Sequence, residues 1–305
     1  MTKPQRPEGG GTGSIRPFTM GDLVAAERIS ARSYHLVDQA HTPRSRPVPA
    51  PRGADRADRW QQRSAHLLST DPNGCWVAEV DGEVVGFAIS FQRELMWLLA
   101  SYAVTPEAQG LGIGRQLLDA ALHSGRGCLR GMFNCSADPA AVRRYRRAGF
   151  DLHPYFQATG VVDHGAVPDA IETIRPGSVA DAALLDSIDR RTRGAGHGPD
   201  HAILAAEYTL LVVDRPTAQG YAYVDSSGSP AVVAAIERGT AATLLWGCLA
   251  AARPDAHVTV AHISAANQWA LDVALDAGLT VEQQGYLAVR HLPPPAPYLP
   301  HGSLM

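Results

Sequence analysis

Cysteine is scarce in this chain. Four residues in 305, Cys75, Cys128, Cys135 and Cys248, lie far apart with no C-x-x-C pair. Spread so thinly, they build neither a disulfide framework nor a zinc site, and they read as reduced thiols. Long apolar runs are missing too, so no segment is expected to span a bilayer. Residues Met1 to Ser14 are polar and glycine-rich, without the apolar stretch of a signal peptide. An excess of one charge is also lacking. Lys and Arg total 27 against 30 Asp and Glu, a formal net charge of -3. Nothing general then draws the chain to nucleic acid or an anionic membrane. The twelve histidines are dispersed. Only His197 and His201 share an i, i+4 spacing, and the glycine and proline between them argue against a helix, so no metal site is expected. A cytoplasmic protein is expected, a monomer or a homodimer.

A length of 305 residues suggests two domains. Residues 1–13 are expected to be disordered. Ile15 to Pro17 reads as a short strand, and Met20 to Tyr34 has helical apolar spacing. His41 to Arg59 is a Pro- and Arg-rich loop. A loop that long is either functional or a floppy, solvated linker. Ala57 to Ser69 looks helical. Cys75 to Val80 and Val84 to Phe91 flank Asp81-Gly82, a hairpin signal, and Glu94 to Val104 continues as a third strand. A helix from Arg115 to His123 and a strand from Cys128 to Cys135 follow. Asp138-Pro139 is an N-cap followed by Pro at the first helical position, and that helix ends at Gly149. Phe150 to Val162 supplies the last strands, and 163–170 reads as a linker.

The order then begins again. Ile15-Arg-Pro17, Asp22 and Ile29 recur at a constant offset as Ile174-Arg-Pro176, Asp181 and Ile188. Gly86-Phe-Ala-Ile89 recurs as Gly220-Tyr-Ala-Tyr223, and Ala148-Gly-Phe150 as Ala277-Gly-Leu279. Three matches in one order argue for an internal duplication. The tail from Pro293 to Met305 is expected to be irregular.

The chemistry concentrates at Gln109-Gly-Leu-Gly112-Ile-Gly114-Arg115, between a strand and an amphipathic helix. Glycine leaves no Cβ between backbone N–H groups and a ligand, and the helix turns its positive dipole end toward the loop. That is an anion cradle, usually for phosphate; a tight packing turn is the alternative. Neither G-x-x-x-x-G-K-[ST] nor G-x-G-x-x-G is present, which argues against other nucleotide folds. In the second half, Ile236, Glu237 and Ala241 stand opposite Gln109, Gly110 and Gly114. Only Gly239 survives, opposite Gly112. A carboxylate inside the loop would repel a phosphate, so the second half reads as a copy that keeps the fold without the ligand loop.

Gln109-x-x-Gly112-x-Gly114 resembles motif A of the GNAT family of N-acetyltransferases. Tyr145, four residues before Gly149-Phe150, is similar to that family's later signature, and the element order from Ile15 to Val162 matches. The resemblance implies an α+β fold of two tandem GNAT-like domains, each a mixed, mostly antiparallel sheet flanked by helices. The catalytic domain would span 14–165, the degenerate one 171–292, and a proline-rich tail 293–305. It also implies acetyl-CoA as acyl donor and direct transfer to a small amine in a ternary complex; a non-catalytic acyl-CoA sensor or scaffold is the alternative. The pyrophosphate would sit on Gln109, Gly110, Leu111, Gly112, Ile113, Gly114 and Arg115. The pantetheine would pair with the backbone of Ala103, Val104 and Thr105. Tyr145 would protonate the leaving thiolate. Leu98 occupies the position where several members carry a glutamate base. Glu94, four residues earlier and on the same face by strand parity, could act through water or be an exposed strand-end charge.

Overall fold

The computed structural model describes residues 13–42 and 48–305. The tail over residues 1–12 and Arg44 and Arg46 of the predicted loop lie outside them. The fold is α+β, and the chain divides into two compact units: residues up to Phe91 with Ser101–Arg126, and Gln92–Ala100 with Gly127–Met305.

The first unit contains β1 (Ser14–Pro17), α1 (Leu23–His41), α2 (Ala54–Thr70), β2 (Cys75–Val80), β3 (Glu83–Arg93, to Phe91), β4 (Met96–Val104, from Ser101) and α3 (Ile113–Ser124). Strand β2 pairs antiparallel with both β1 and β3. The β2–β3 turn places Asp81 at φ 51° and Gly82 at φ 83°, the two left-handed residues that such a two-residue hairpin needs. Side chains alternate across β3, and that alternation seats the helices. Phe87 takes the edges of Phe18 and of Trp60 from α2, with ring centroids 6.5 and 5.6 Å away. On the opposite face, a Cβ at Gly86 would lie 3.1 Å from Leu117 of α3 and 3.0 Å from the Ala103 carbonyl. Glycine there lets α3 approach the sheet. Both early helices are longer than their sequence signals: α1 runs on to His41 and α2 begins at Ala54, which shortens the Pro/Arg-rich loop from both ends.

The second unit begins with Met96–Ala100 of β4. It continues through β5 (Arg130–Cys135), α4 (Pro139–Arg147), β6 (Asp151–Val161), β7 (Arg175–Pro176), α5 (Ala182–Thr192), α6 (Asp200–Glu207), β8 (Thr209–Arg215), β9 (Ala218–Val224), β10 (Pro230–Ala235), α7 (Arg238–Ala250), β11 (His257–Ser264), α8 (Gln268–Asp276), β12 (Thr280–Arg290) and β13 (Tyr298–Leu299). One sheet orders β13-β10-β9-β8-β7. The other strands follow β4-β5-β12-β6-β11, parallel between β4 and β5 and antiparallel thereafter. Strand β12 lies between β5 and β6, pairing Leu287 with both Asn134 and His153. Strand β6 in turn borders β11. A late strand thus pairs with two strands from the first half of the sequence.

One expectation needs correcting here, and another gains detail. Strand β4 starts at Met96; Glu94 and Leu95 form the tight turn after β3, with Glu94 at φ 55°. The tail after Pro293 is mostly irregular, as expected, yet it is packed. Strand β13 pairs with β10, and Tyr298, Leu299, Leu304 and Met305 are buried. Its apolar side chains outweigh its prolines, since each fully buried one contributes about 1.5–3 kcal/mol.

Candidate functional site

The glycine loop belongs to the first unit. Val104 ends β4, Pro106–Ala108 makes one 3-10 turn, and Gln109 folds back so that its Nε2 donates to the Val104 carbonyl at 3.1 Å. Gly110 and Gly112 take φ 83° and 84°, and a Cβ at either would meet nothing within 4 Å. Their absent side chains therefore satisfy a backbone demand, the left-handed region that costs other residues roughly 1–2 kcal/mol, and leave open space above the loop. Gly110, Leu111 and Gly112 are exposed, whereas Ile113 and Gly114 are buried at the start of α3. Gly112 is the N-cap of α3, and among the described residues no side chain caps this helix. An uncapped helix start on an exposed glycine turn can take an anion on its N–H groups. Arg115 has partners of its own. Its N–H bonds the Gly112 carbonyl at 3.0 Å, and its exposed side chain pairs with Asp119.

Strand parity sorts the three predicted pantetheine residues. Thr105 donates its N–H to Val85 of β3 at 2.8 Å, and the Ala103 carbonyl faces Gly86. Both residues turn their backbone toward β3. Val104 alone directs its N–H and carbonyl to the other edge, where the carbonyl takes Gln109 and, at 3.4 Å, the Ser33 hydroxyl. Arg52, from the Pro/Arg-rich segment, is engaged by Glu27 at 3.0 Å and Ser30 at 2.9 Å, which favours a structural use for it.

In the second unit, the β4–β5 ladder pairs Met96 with Arg130, Trp97 with Gly131 and Leu98 with Met132, and ends there. Leu99 and Phe133 start the divergence. Tyr145 lies on α4, 5% exposed, its ring 4.6 Å from that of Phe133. Phe150 and Trp97 complete this aromatic packing. Asp138 caps α4, accepting from the Ala141 N–H at 2.7 Å. That leaves Asp138 a structural task. Leu98 is fully buried. Glu94 sits in the turn, not on the strand, so the parity that aimed it at the reacting centre does not apply. Its carboxylate accepts from Arg190 Nε at 2.6 Å and the Gly196 N–H at 3.3 Å.

Burial pushes the thiols of Cys75 and Cys135 up to about 12, and all four cysteines are free. At neutral pH the thiols of Cys75 and Cys135 are therefore poor nucleophiles.

The acetyltransferase (GNAT) family model matches residues 36–150. An uncharacterized N-acetyltransferase of Archaeoglobus fulgidus is 34% identical over 116 residues, which are 35% of this chain and 70% of that protein. The chain belongs to the GNAT acetyltransferase family. A mycothiol acetyltransferase of Streptomyces griseus subsp. griseus is 39% identical over 88 residues, 27% of this chain and only 29% of its own length. Among solved structures, an assigned acetyltransferase of Pyrococcus horikoshii superposes with TM-score 0.68 at 15% identity, covering 95% of this chain and 92% of its own. A GCN5-related N-acetyltransferase from Sphaerobacter thermophilus gives 0.57 at 14% identity, covering 91% and 95%. At such identities the likeness is one of fold, and it extends over almost the whole GNAT chain. Among the described residues no helix is long and apolar enough to cross a membrane.

What the sequence missed lies elsewhere in the second unit. No helix joins His197 to His201, as expected, yet a Gly198-Pro199 turn brings both onto Asp189, and one possible ligand atom of each falls within 4.8 Å of the others. Side chains 8 to 12 residues apart across a turn give no periodic signal.

Proposed function

We propose that this GNAT chain moves an acyl group from acyl-CoA, with acetyl-CoA as the expected donor, to a small amine. The copy over 14–165 carries the donor site; the copy over 171–292 keeps the fold. The observation that carries this reading is the uncapped N-terminus of α3 on the exposed Gly110–Gly112 turn, a cradle suited to a pyrophosphate. Val104 supplies the strand edge turned away from β3 for the pantetheine amide. In the reaction the amine nitrogen attacks the thioester carbonyl, the C–S bond breaks, and Tyr145 donates its phenolic proton to the thiolate. Tyr145 is reprotonated through solvent by the proton the amine gives up.

A duplicated origin is supported by contacts that recur within each copy. Arg16 forks onto Asp22 at 2.8 and 2.9 Å, and Arg175 onto Asp181 at 3.2 and 2.6 Å. Each of these aspartates accepts a backbone N–H, from Thr19 and from Ser178, at 2.8 Å. A Cβ at Gly86 would meet Leu117 and the Ala103 carbonyl; one at Gly220 would meet Leu244 and the Ala234 carbonyl. Gly149 and Gly278 end their helices at φ 85° and 79°.

Neither Leu98 nor Glu94 supplies a base on β4. A lysine-like amine, pKa ~10.4, pays about 4.6 kcal/mol to deprotonate at pH 7, so kcat/KM should climb with pH toward the amine's own pKa. Calorimetric titration with acetyl-CoA, paired with thiol release across an amine panel, tests the reading. One equivalent bound with thiol released supports it. One equivalent bound with no release by any amine supports the sensor reading; no binding overturns both.

A further inference from the structure

In the free chain the strand edge that the donor needs is already occupied. Val104 is 8% exposed, and its carbonyl lies on the edge of β4 turned away from β3. A buried carbonyl requires a donor, and an open strand edge is a liability that chains cover. This chain covers it with two of its own side chains. The Gln109 Nε2 donates to the Val104 carbonyl at 3.1 Å, and the Ser33 hydroxyl of α1 at 3.4 Å. A carbonyl oxygen has two lone pairs, so this one is full. The pantetheine pairing proposed above asks the same oxygen for a third bond. One of the two donors has to leave.

Chemistry and restraint single out Gln109. Its side chain ends in a carboxamide, and the pantetheine also presents an amide N–H. One can replace the other with no bond lost. Gln109 is exposed, so the released amide passes into water. The backbone around it has other anchors. The Gln109 N–H bonds the Pro106 carbonyl at 3.3 Å. Before it, Arg32 Nη1 donates to Glu107 at 3.2 Å, and after it the Tyr102 hydroxyl donates to the Gly114 carbonyl at 2.6 Å. The loop therefore keeps its shape when the side chain lets go. Ser33 is half-buried on α1, and its longer bond can persist beside a new one.

We propose that Gln109 is a place-holder, whose side-chain amide occupies the Val104 carbonyl in the free chain and yields it to the pantetheine N–H when acyl-CoA binds. The proposal rests on the donor site read above at Gly110–Gly112. Gln109 is then a positioning residue. It keeps the edge of β4 satisfied until a donor arrives, and it makes the edge selective. A ligand that presents an amide N–H replaces the bond it displaces; one that presents an apolar or ester group leaves Gln109 where it is.

The test compares acetyl-CoA with ADP, which carries a pyrophosphate and no pantetheine. Both are titrated into the full wild-type chain and into Gln109→Met, an exposed change with little bearing on folding. Any bond from Gln109 to the pyrophosphate cancels between the two ligands. Removing the place-holder should raise the ratio of acetyl-CoA to ADP affinity by about 2–10-fold, the worth of one neutral hydrogen bond. Gln109→Asn, with an amide one methylene short of Val104, should shift the ratio in the same direction. A crystal of the wild type with acetyl-CoA should show the pantetheine nitrogen on the Val104 carbonyl and Gln109 Nε2 turned away. An unchanged or lowered ratio, or Gln109 still on Val104 with acetyl-CoA bound, would overturn the place-holder and leave the donor site standing. Wild type that binds neither ligand would remove the donor site itself, and the place-holder with it.

Discussion

Helices α3 and α7 follow corresponding strands of the sequence repeat and begin with opposite contents. At α3 the cap is Gly112, in the left-handed region, with no side chain over the end. At α7 the cap is Glu237, whose carboxylate takes the N–H of Gly239 at 2.7 Å and of Thr240 at 2.5 Å, and the Thr240 hydroxyl as well. Each helix start attracts an anion. One is left open for an external anion; the other is filled by the chain itself. A tethered carboxylate acts at an effective concentration that a dissolved phosphate cannot match. The repulsion anticipated for Glu237 is therefore better described as occupancy.

A second difference runs parallel. Tyr145 accepts the Phe150 N–H on its carbonyl at 3.2 Å, and the corresponding bond of the second copy runs from Leu279 to Ala274 at 2.9 Å. The helix terminus is kept and the phenol is gone. Removing the phenol from the first copy should give the largest effect. Tyr145→Phe is expected to lower turnover by 10²–10⁴-fold, the usual contribution of a general acid, with acetyl-CoA affinity near that of wild type. Turnover within a few-fold of wild type would remove Tyr145 from the mechanism.

Writing the second copy's carboxylate into the first comes next. Gly110→Glu places it opposite Glu237, and Gly110→Ala carries the same backbone strain at φ 83° without the charge. Calorimetry should show the glutamate variant binding acetyl-CoA at least about tenfold more weakly than the alanine variant, since one charge-assisted bond contributes ~1.5–3 kcal/mol. Equal affinities would mean that the loop is a packing turn and the anion lies elsewhere.

The contrast between α3 and α7 was legible in the sequence because glycine spacing and a carboxylate are local signals. The hairpin at Asp81-Gly82, the cap at Asp138 and the end at Gly149 were legible for the same reason. What escaped were relations between distant residues. Parity placed Glu94 on a strand because nothing in Arg93-Glu94-Leu95 announces a turn without glycine or proline. The packing of the tail escaped because its prolines are visible locally, while its pairing to β10 is not. The insertion of β12 between β5 and β6 leaves no trace in either strand's own pattern. The same blindness separated His197 from Asp189.

The paired arginine–aspartate forks sharpen the comparison at smaller energies. Arg16 and Thr19 hold the Asp22 carboxyl down at about 2. Its folded value lies below its unfolded one, so the stability it adds is present above about pH 4 and is lost as pH falls toward 2. Asp22→Asn should cost about 1–2 kcal/mol at neutral pH, after allowance for the partly exposed Arg16, and should flatten the acid limb of the stability curve. Arg175, at 45% side-chain exposure against 35% for Arg16, is better screened. Asp181→Asn should therefore move the urea midpoint less. A larger shift from Asp181 would reverse that ranking.

The smallest expected effect asks whether Glu237 alone silences the second copy. Glu237→Ala removes a cap and should cost roughly 1 kcal/mol of stability. It also exposes two N–H groups at the start of α7. Even so, the acetyl-CoA stoichiometry should remain one per chain. Helix α7 starts at Arg238, which the repeat places opposite Leu111, two positions before the start of α3. The counterparts of Leu111 and Gly112, Arg238 and Gly239, already lie in the helix. Freed of its carboxylate, that end offers the axial N–H groups of an ordinary helix and no loop to wrap a pyrophosphate. A stoichiometry of two for Glu237→Ala would show instead that the two copies differ by a single removable anion.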